Sequence, residues 1–169
     1  MGLAPITASQ LQGRASKRGK ALTMTNLNGE AVVRASLGKA AAPAEAVFET
    51  AEGTWRIERV GRSEVAVLDR RGNPVARARK GEVVLPGGEI LPWAQSGLPR
   101  VRYRLGDGLW VAKGRWLSRR RFSAELSGAL LSRTDKSLVA GIASVLTQHA
   151  VDRRSRLVGA AGGFGASWG

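Results

Sequence analysis

The sequence predicts a mainly β fold: an antiparallel closed or nearly closed barrel with one C-terminal hydrophobic helix enclosed by the sheet. Three observations lead there. Clusters of Asn, Asp, Gly and Pro recur about every 8–12 residues, the spacing of a meandering sandwich or barrel. The segments between them alternate polar and apolar side chains with period two, as half-buried strands do. One late segment, residues 135–151, has helical spacing but no charge between Lys136 and Asp152. A helix that is apolar or small on every face is enclosed rather than exposed. A sheet closed around such a helix buries it on all sides and leaves no open edge.

Taken in order, residues 1–19 mix Gly, Ser, Gln, Lys and Arg without periodicity. They are expected to form a flexible basic N-terminal tail. From Ala21 to Ala35, two β-compatible runs flank Asn26-Leu27-Asn28-Gly29-Glu30. Asn and Gly tolerate the positive φ of tight loops, so this is a hairpin. Lys39–Pro43 is a small-residue linker. Thr54–Val60 alternates, with Trp55, Ile57 and Val60 or its neighbour near one face. Glu64–Leu68 and Val75–Arg79 flank a second turn, Asp69-Arg70-Arg71-Gly72-Asn73-Pro74. Val83–Leu85 and Ile90–Leu91 flank Pro86-Gly87-Gly88, a type II turn signature. Val101–Leu105 has strict period two and turns through Gly106-Asp107-Gly108 into Leu109–Ala112. Arg121–Leu126 alternates as well. One repeat is visible: Leu22–Asn26, Gly29, Val32, Arg34 and Ala35 align at constant offset with Val65–Asp69, Gly72, Val75, Arg77 and Ala78.

The helix starts at Thr134 or Asp135, whose side-chain oxygen suits an N-cap. Leu138, Val139, Ile142, Val145, Leu146 and Val151 follow at helical spacing. Arg153, Arg154 and Arg156 suit its C-terminal end. The domain is thus expected over residues 20–152, with a basic and then Gly-rich flexible tail over 153–169.

Composition removes several function classes. The chain has 169 residues, 27 Lys and Arg against 13 Asp and Glu, and a formal charge of +14. Without Cys, disulfides, thiolate metal sites and Cys nucleophiles are excluded. A single histidine, His149, excludes a multi-His metal site. The expectation is therefore no metal, no cofactor and no catalytic residues. Glu45, Glu49 and Glu52 lack a context that pairs them as acid and base. Gly159-Ala160-Ala161-Gly162-Gly163 lacks the strand, helix and Lys-Ser/Thr pair of a phosphate loop. No apolar run approaches the roughly 20 residues that span a bilayer, and the N-terminus lacks a signal-peptide core. The expected location is cytoplasmic, peripheral at the inner face of a membrane.

The densest chemistry lies between residues 100 and 121. Arg100, Arg102, Arg104, Lys113, Arg115, Arg119, Arg120 and Arg121 stand against Asp107 alone. Guanidinium groups bond phosphate oxygens in bidentate fashion. Trp110 and Trp116 interleave with these cations and are the expected interface aromatics.

Serial antiparallel strands followed by an enclosed helix resemble the tubby-like β-barrel superfamily, which includes the tubby C-terminal domain and the phospholipid scramblases. The residues that carry the resemblance are the hairpins around Gly29 and Gly72, Arg77-Ala78-Arg79, Tyr103-Arg104-Leu105, Arg120-Arg121-Phe122 and Ser137–Ile142. It covers about residues 20–152. The chain is much shorter than the animal tubby domain, and it has no match to the acidic calcium-binding segment of the scramblases. The resemblance implies a peripheral contact with anionic lipid headgroups. The expected function is a non-catalytic module that binds an anionic surface, phospholipid headgroups at a membrane face. The alternatives are single-stranded nucleic acid bound through the same basic face, or a structural assembly protein.

Overall fold

Strand order follows chain order all the way around, and the first strand then pairs with the last. The computed structural model describes residues 2–16, 20–37, 45–96, 101–114 and 120–159, without the side chains of 154–159. The strands are β1 Gln10–Ala15, β2 Ala21–Thr25, β3 Ala31–Ser36, β4 Val47–Thr50, β5 Gly53–Arg59 and β6 Glu64–Leu68. They continue with β7 Pro74–Arg79, β8 Glu82–Val84, β9 Ile90–Ser96, β10 Arg102–Leu105, β11 Trp110–Gly114 and β12 Arg121–Leu126. Every neighbouring pair is antiparallel, including β1 with β12, so no edge is left unpaired. Closure uses up the row of free amides and carbonyls that an open sheet would expose.

Two helices follow, α1 Gly128–Leu131 and α2 Lys136–Gly159. The expected enclosure is observed: every residue from Ser137 to Gln148 is buried. Twelve strands spaced about 4.8 Å apart and tilted about 40° make a cylinder roughly 24 Å across. A helix with side chains is about 10–12 Å wide, so little room is left for bulk on both partners. The sequence resolves this by keeping α2 small at Ala140, Gly141, Ala143 and Ser144, all of them buried. Gly141 lies directly against the Phe48 ring, with no space for a Cβ. Buried hydroxyls return to the helix: Ser144 donates to the Ala140 carbonyl at 2.6 Å and Thr147 to that of Ala143 at 2.7 Å. Such local bonds keep polar groups satisfied inside an apolar barrel.

The structure departs from the sequence reading at both ends. The N-terminal segment is not a tail: β1 alternates exposed Gln10, Gln12 and Arg14 with buried Leu11, Gly13 and Ala15. Ile6 ahead of it is also buried. Strand β1 closes the barrel, pairing with β12 on one side and β2 on the other. Helix α2 runs on to Gly159, past the expected stop at 151. Val60 does not share the inward face of Ile57; it lies beyond the end of β5, 57% exposed. The Lys39–Pro43 linker lies outside the described residues.

In a meander, successive connections alternate between the two ends of the cylinder. Connections 26–30, 51–52, 69–73, 85–89 and 106–109 lie at one end, called here the turn rim. Two of these turns, in the repeated segments, share one geometry. Asn26 Oδ1 accepts from the amides of Asn28 and Glu30, and Asp69 Oδ1 from those of Arg71 and Asn73. Gly29 and Gly72 take the positive φ each turn requires, 78° and 85°. Each hairpin also carries an irregularity one step before its turn, at Met24/Thr25 and Val67/Leu68. The remaining strand ends make up the opposite end, the loop rim.

Candidate anion-binding surface

Strand alternation decides which residues of the basic segment face outward. On β10, Tyr103 and Leu105 are buried; Arg104 is exposed and Arg102 half-buried on the outer wall. On β11, Ala112 is buried and Lys113 exposed. On β12, Arg121 is exposed and Phe122 buried. Closure then brings β1 against β12 and adds Arg14 to the same wall. Arg102 sits directly opposite Lys113, and Arg14 directly opposite Arg121. Cross-strand neighbours lie about 4.5–5.5 Å apart at Cβ, where like charges destabilise a sheet. Among the described residues, none of Arg14, Arg102, Arg104, Lys113 and Arg121 forms a salt bridge. Glu125 is the carboxylate within this wall.

The far side of the barrel shows the opposite arrangement. Arg56 pairs with Glu58 at 2.9 Å, Arg77 with Glu64 at 3.9 Å and Arg79 with Glu82 at 2.6 Å. Cations there are matched along and across strands, the ordinary dress of a solvated sheet. On the wall from β10 to β1 they are not matched.

The two rims differ as well. Helix α2 fixes the direction: Arg133 just before it grips Glu89 in the β8–β9 turn, while Val151 near its far end meets Gly114 at the end of β11. The turn rim holds the cations Arg70, Arg71, Arg133 and Lys136 against the carboxylates Glu30, Glu52, Asp69, Glu89, Asp107 and Asp135. Several of those carboxylates are engaged. Backbone N–H groups of Asn73 and Arg71 hold the Asp69 carboxyl below its ordinary pKa. The Arg133 guanidinium does the same for Glu89, with bonds of 2.6 and 3.1 Å. Arg133 also bonds Asp135 at 2.8 and 3.1 Å, and its own pKa is raised. In its connections the loop rim carries Lys20, Arg62, Lys80, Arg120 and Arg153 against Glu45 and Asp152, and at the strand ends that meet it Arg59, Arg79 and Arg121 against Glu64 and Glu82, so cations remain in excess. All 13 carboxylate side chains of the sequence fall within the described residues. The connecting sequence outside them adds Lys17, Arg18, Lys39, Arg100, Arg115 and Arg119 and no Asp or Glu.

Of the expected site residues, Arg102, Arg104, Lys113 and Arg121 share the outer wall and Arg120 stands at its loop-rim end. Arg100, Arg115, Arg119 and Trp116 lie outside the described residues. Trp110 is not an interface aromatic. It is fully buried opposite Leu105 and Leu126, and its Nε1 donates to Thr147 Oγ1 at 3.1 Å. The signal was available: Trp110 and the outward Lys113 are three residues apart, an odd interval that places them on opposite faces of a strand. Sequence reasoning missed Arg14, Lys20, Arg62, Lys80 and Arg153, because contiguity was the only proximity it could use.

Among the described residues, no group of three or more His, Cys, Asp or Glu could hold a metal ion, and no helix is long and apolar enough to cross a membrane. No protein family, curated protein or solved structure matches the chain.

Proposed function

We propose that the barrel is a non-catalytic module that binds an anionic surface, the phospholipid headgroups of a membrane face. The observation that carries this reading is the pair of like-charge contacts, Arg102 against Lys113 and Arg14 against Arg121, on four adjoining strands without a salt bridge. They cost the fold stability, and a counter-surface of phosphates offsets that cost. A local rule broken without internal compensation marks a functional surface. A barrel wrapped around a C-terminal helix is also the architecture that the tubby-like resemblance implies, which supports the lipid reading.

Magnitudes support a surface rather than a single ion. Each cation near an anionic bilayer contributes about 1 kcal/mol before screening. Five wall cations therefore give roughly 5 kcal/mol, a sub-millimolar interaction, and rim cations are needed to reach micromolar strength near 8 kcal/mol. Single-stranded nucleic acid fits less well. Its binding grooves stack bases on aromatic side chains, whereas the wall positions between the cations are Val111, Ser123, Gln12 and Glu125.

The test is co-sedimentation of the full chain with phosphatidylcholine vesicles, with and without phosphatidylserine, across a salt series. Binding should require phosphatidylserine and weaken as salt rises. Equal binding to both vesicles, or to neither, overturns the proposal. A labelled single-stranded oligonucleotide bound at salt that abolishes vesicle binding reassigns the surface to nucleic acid.

A further inference from the structure

We infer that the barrel docks on the anionic bilayer end-on, through the loop rim, rather than lying on its basic wall. This rests on the lipid reading above and adds its orientation.

The remaining cations gather at the loop rim on every side of the cylinder. Arg62 connects β5 to β6, and Lys80 connects β7 to β8. In the closed strand order these connections are opposite β11, β12 and β1, on the far side of the cylinder. They nevertheless share the rim with Lys20, Arg120 and Arg153. A barrel lying on its wall would hold Arg62 roughly 24 Å from the headgroups. That is about three Debye lengths at physiological salt, so Arg62 and Lys80 would contribute almost nothing. A barrel standing on the loop rim brings both into the plane, together with the rim-side ends of the basic wall at Arg14 and Arg121. It also turns the carboxylate-bearing turn rim away from the bilayer.

Exposed aliphatic side chains occur at both rims, Leu27 and Ile90 at the turn rim and Val60 at the loop rim, and of these only Val60 stands among arginines rather than beside a carboxylate turn. Val60 stands 57% exposed beyond the end of β5, between Arg59 and Arg62. An exposed aliphatic tip flanked by arginines is suited to reach below the phosphates while its neighbours bond them.

The test compares two double variants with the same change in net charge on phosphatidylcholine/phosphatidylserine vesicles. Arg62→Glu/Lys80→Glu reverses the far side of the loop rim. Arg70→Glu/Arg71→Glu reverses two exposed cations of the turn rim. Each cation lost from the contact is worth about fivefold in partitioning. The first variant should therefore bind at least about 25-fold more weakly, and the second within about twofold of the parent. All four residues are exposed, and a thermal melt checks that both variants keep the parent's fold. Equal losses in the two variants would mean that net charge alone governs binding and would overturn end-on docking. So would loss on Arg104→Glu with Arg62→Glu/Lys80→Glu unaffected, which is the signature of a barrel on its side. A parent chain that ignores anionic vesicles removes the lipid reading itself and the orientation with it.

Discussion

Replacing Gly141 by Ala tests whether the helix is enclosed, because the two environments predict effects of opposite sign. On a helix face open to water, Gly→Ala stabilises by roughly 0.5–1 kcal/mol, since glycine loses more backbone freedom on folding. Here a Cβ would enter the Phe48 ring. That ring cannot simply swing aside, because it stacks on Trp55 at 5.3 Å between centroids. Adding a methyl to a packed core costs about 1–3 kcal/mol, and an overlap with ring carbons belongs at the upper end. Subtracting the propensity gain leaves a net loss of roughly 2 kcal/mol. For a chain of this size that lowers the melting temperature by roughly 4–8 °C. Thermal and urea unfolding followed by circular dichroism would read it. Phe48→Leu in the same background makes room for the methyl, so the double variant should lose less than the sum of the singles. An unchanged or higher melting temperature for G141A would refute the packing of α2 against β4.

Three further outcomes follow from the same structure. Thr147→Val leaves the buried Trp110 Nε1 without its acceptor and should cost about 1–3 kcal/mol in urea unfolding, whereas Thr147→Ser keeps the bond and most of the stability. Lys113→Glu turns a like-charge pair with Arg102 into an opposite-charge pair, so it should raise stability by about 0.2–1 kcal/mol. The same change should weaken vesicle binding at least fivefold, on the order of one lost cation. The carboxyls of Asp69 and Glu89 are held below their ordinary pKa in the fold. Their stabilisation is therefore complete above the unfolded value and lost as pH falls through the folded one. A stability profile below about pH 4 should be flatter in Asp69→Ala and Glu89→Gln than in the parent.

What the sequence disclosed depended on how strongly each segment was punctuated. The hairpins around Gly29 and Gly72 were legible because an Asx side chain, a positive-φ glycine and alternation all agree. The helix was legible from the absence of any charge between Lys136 and Asp152. Strand β1 was not, because its inward positions are Leu11, Gly13 and Ala15, and two of those three are small. Gly13 is small for a tertiary reason invisible in the sequence: a Cβ there would come within 2.6 Å of the Phe122 ring and 2.9 Å of Met24 Sδ. Strand β4 is only four residues long. Missing it had a larger consequence than its length suggests. In a meander, the rim to which a connection belongs depends on strand parity, and one uncounted strand reverses the assignment of all that follow. The wall arginines could be found by contiguity. The rim, gathered from alternate connections around a closed cylinder, could not.

The orientation of the cylinder on the bilayer is the point on which the account stands, and the chain offers a direct way to measure it. It contains no cysteine, so a single introduced thiol carries an environment-sensitive fluorophore at one place only. Val60→Cys labels the loop rim; Leu27→Cys, at a position 72% exposed, labels the turn rim. On adding phosphatidylserine vesicles, the label at 60 should shift to the emission of a less polar environment while the label at 27 stays as in water. A shift at 27 with none at 60 would contradict the account.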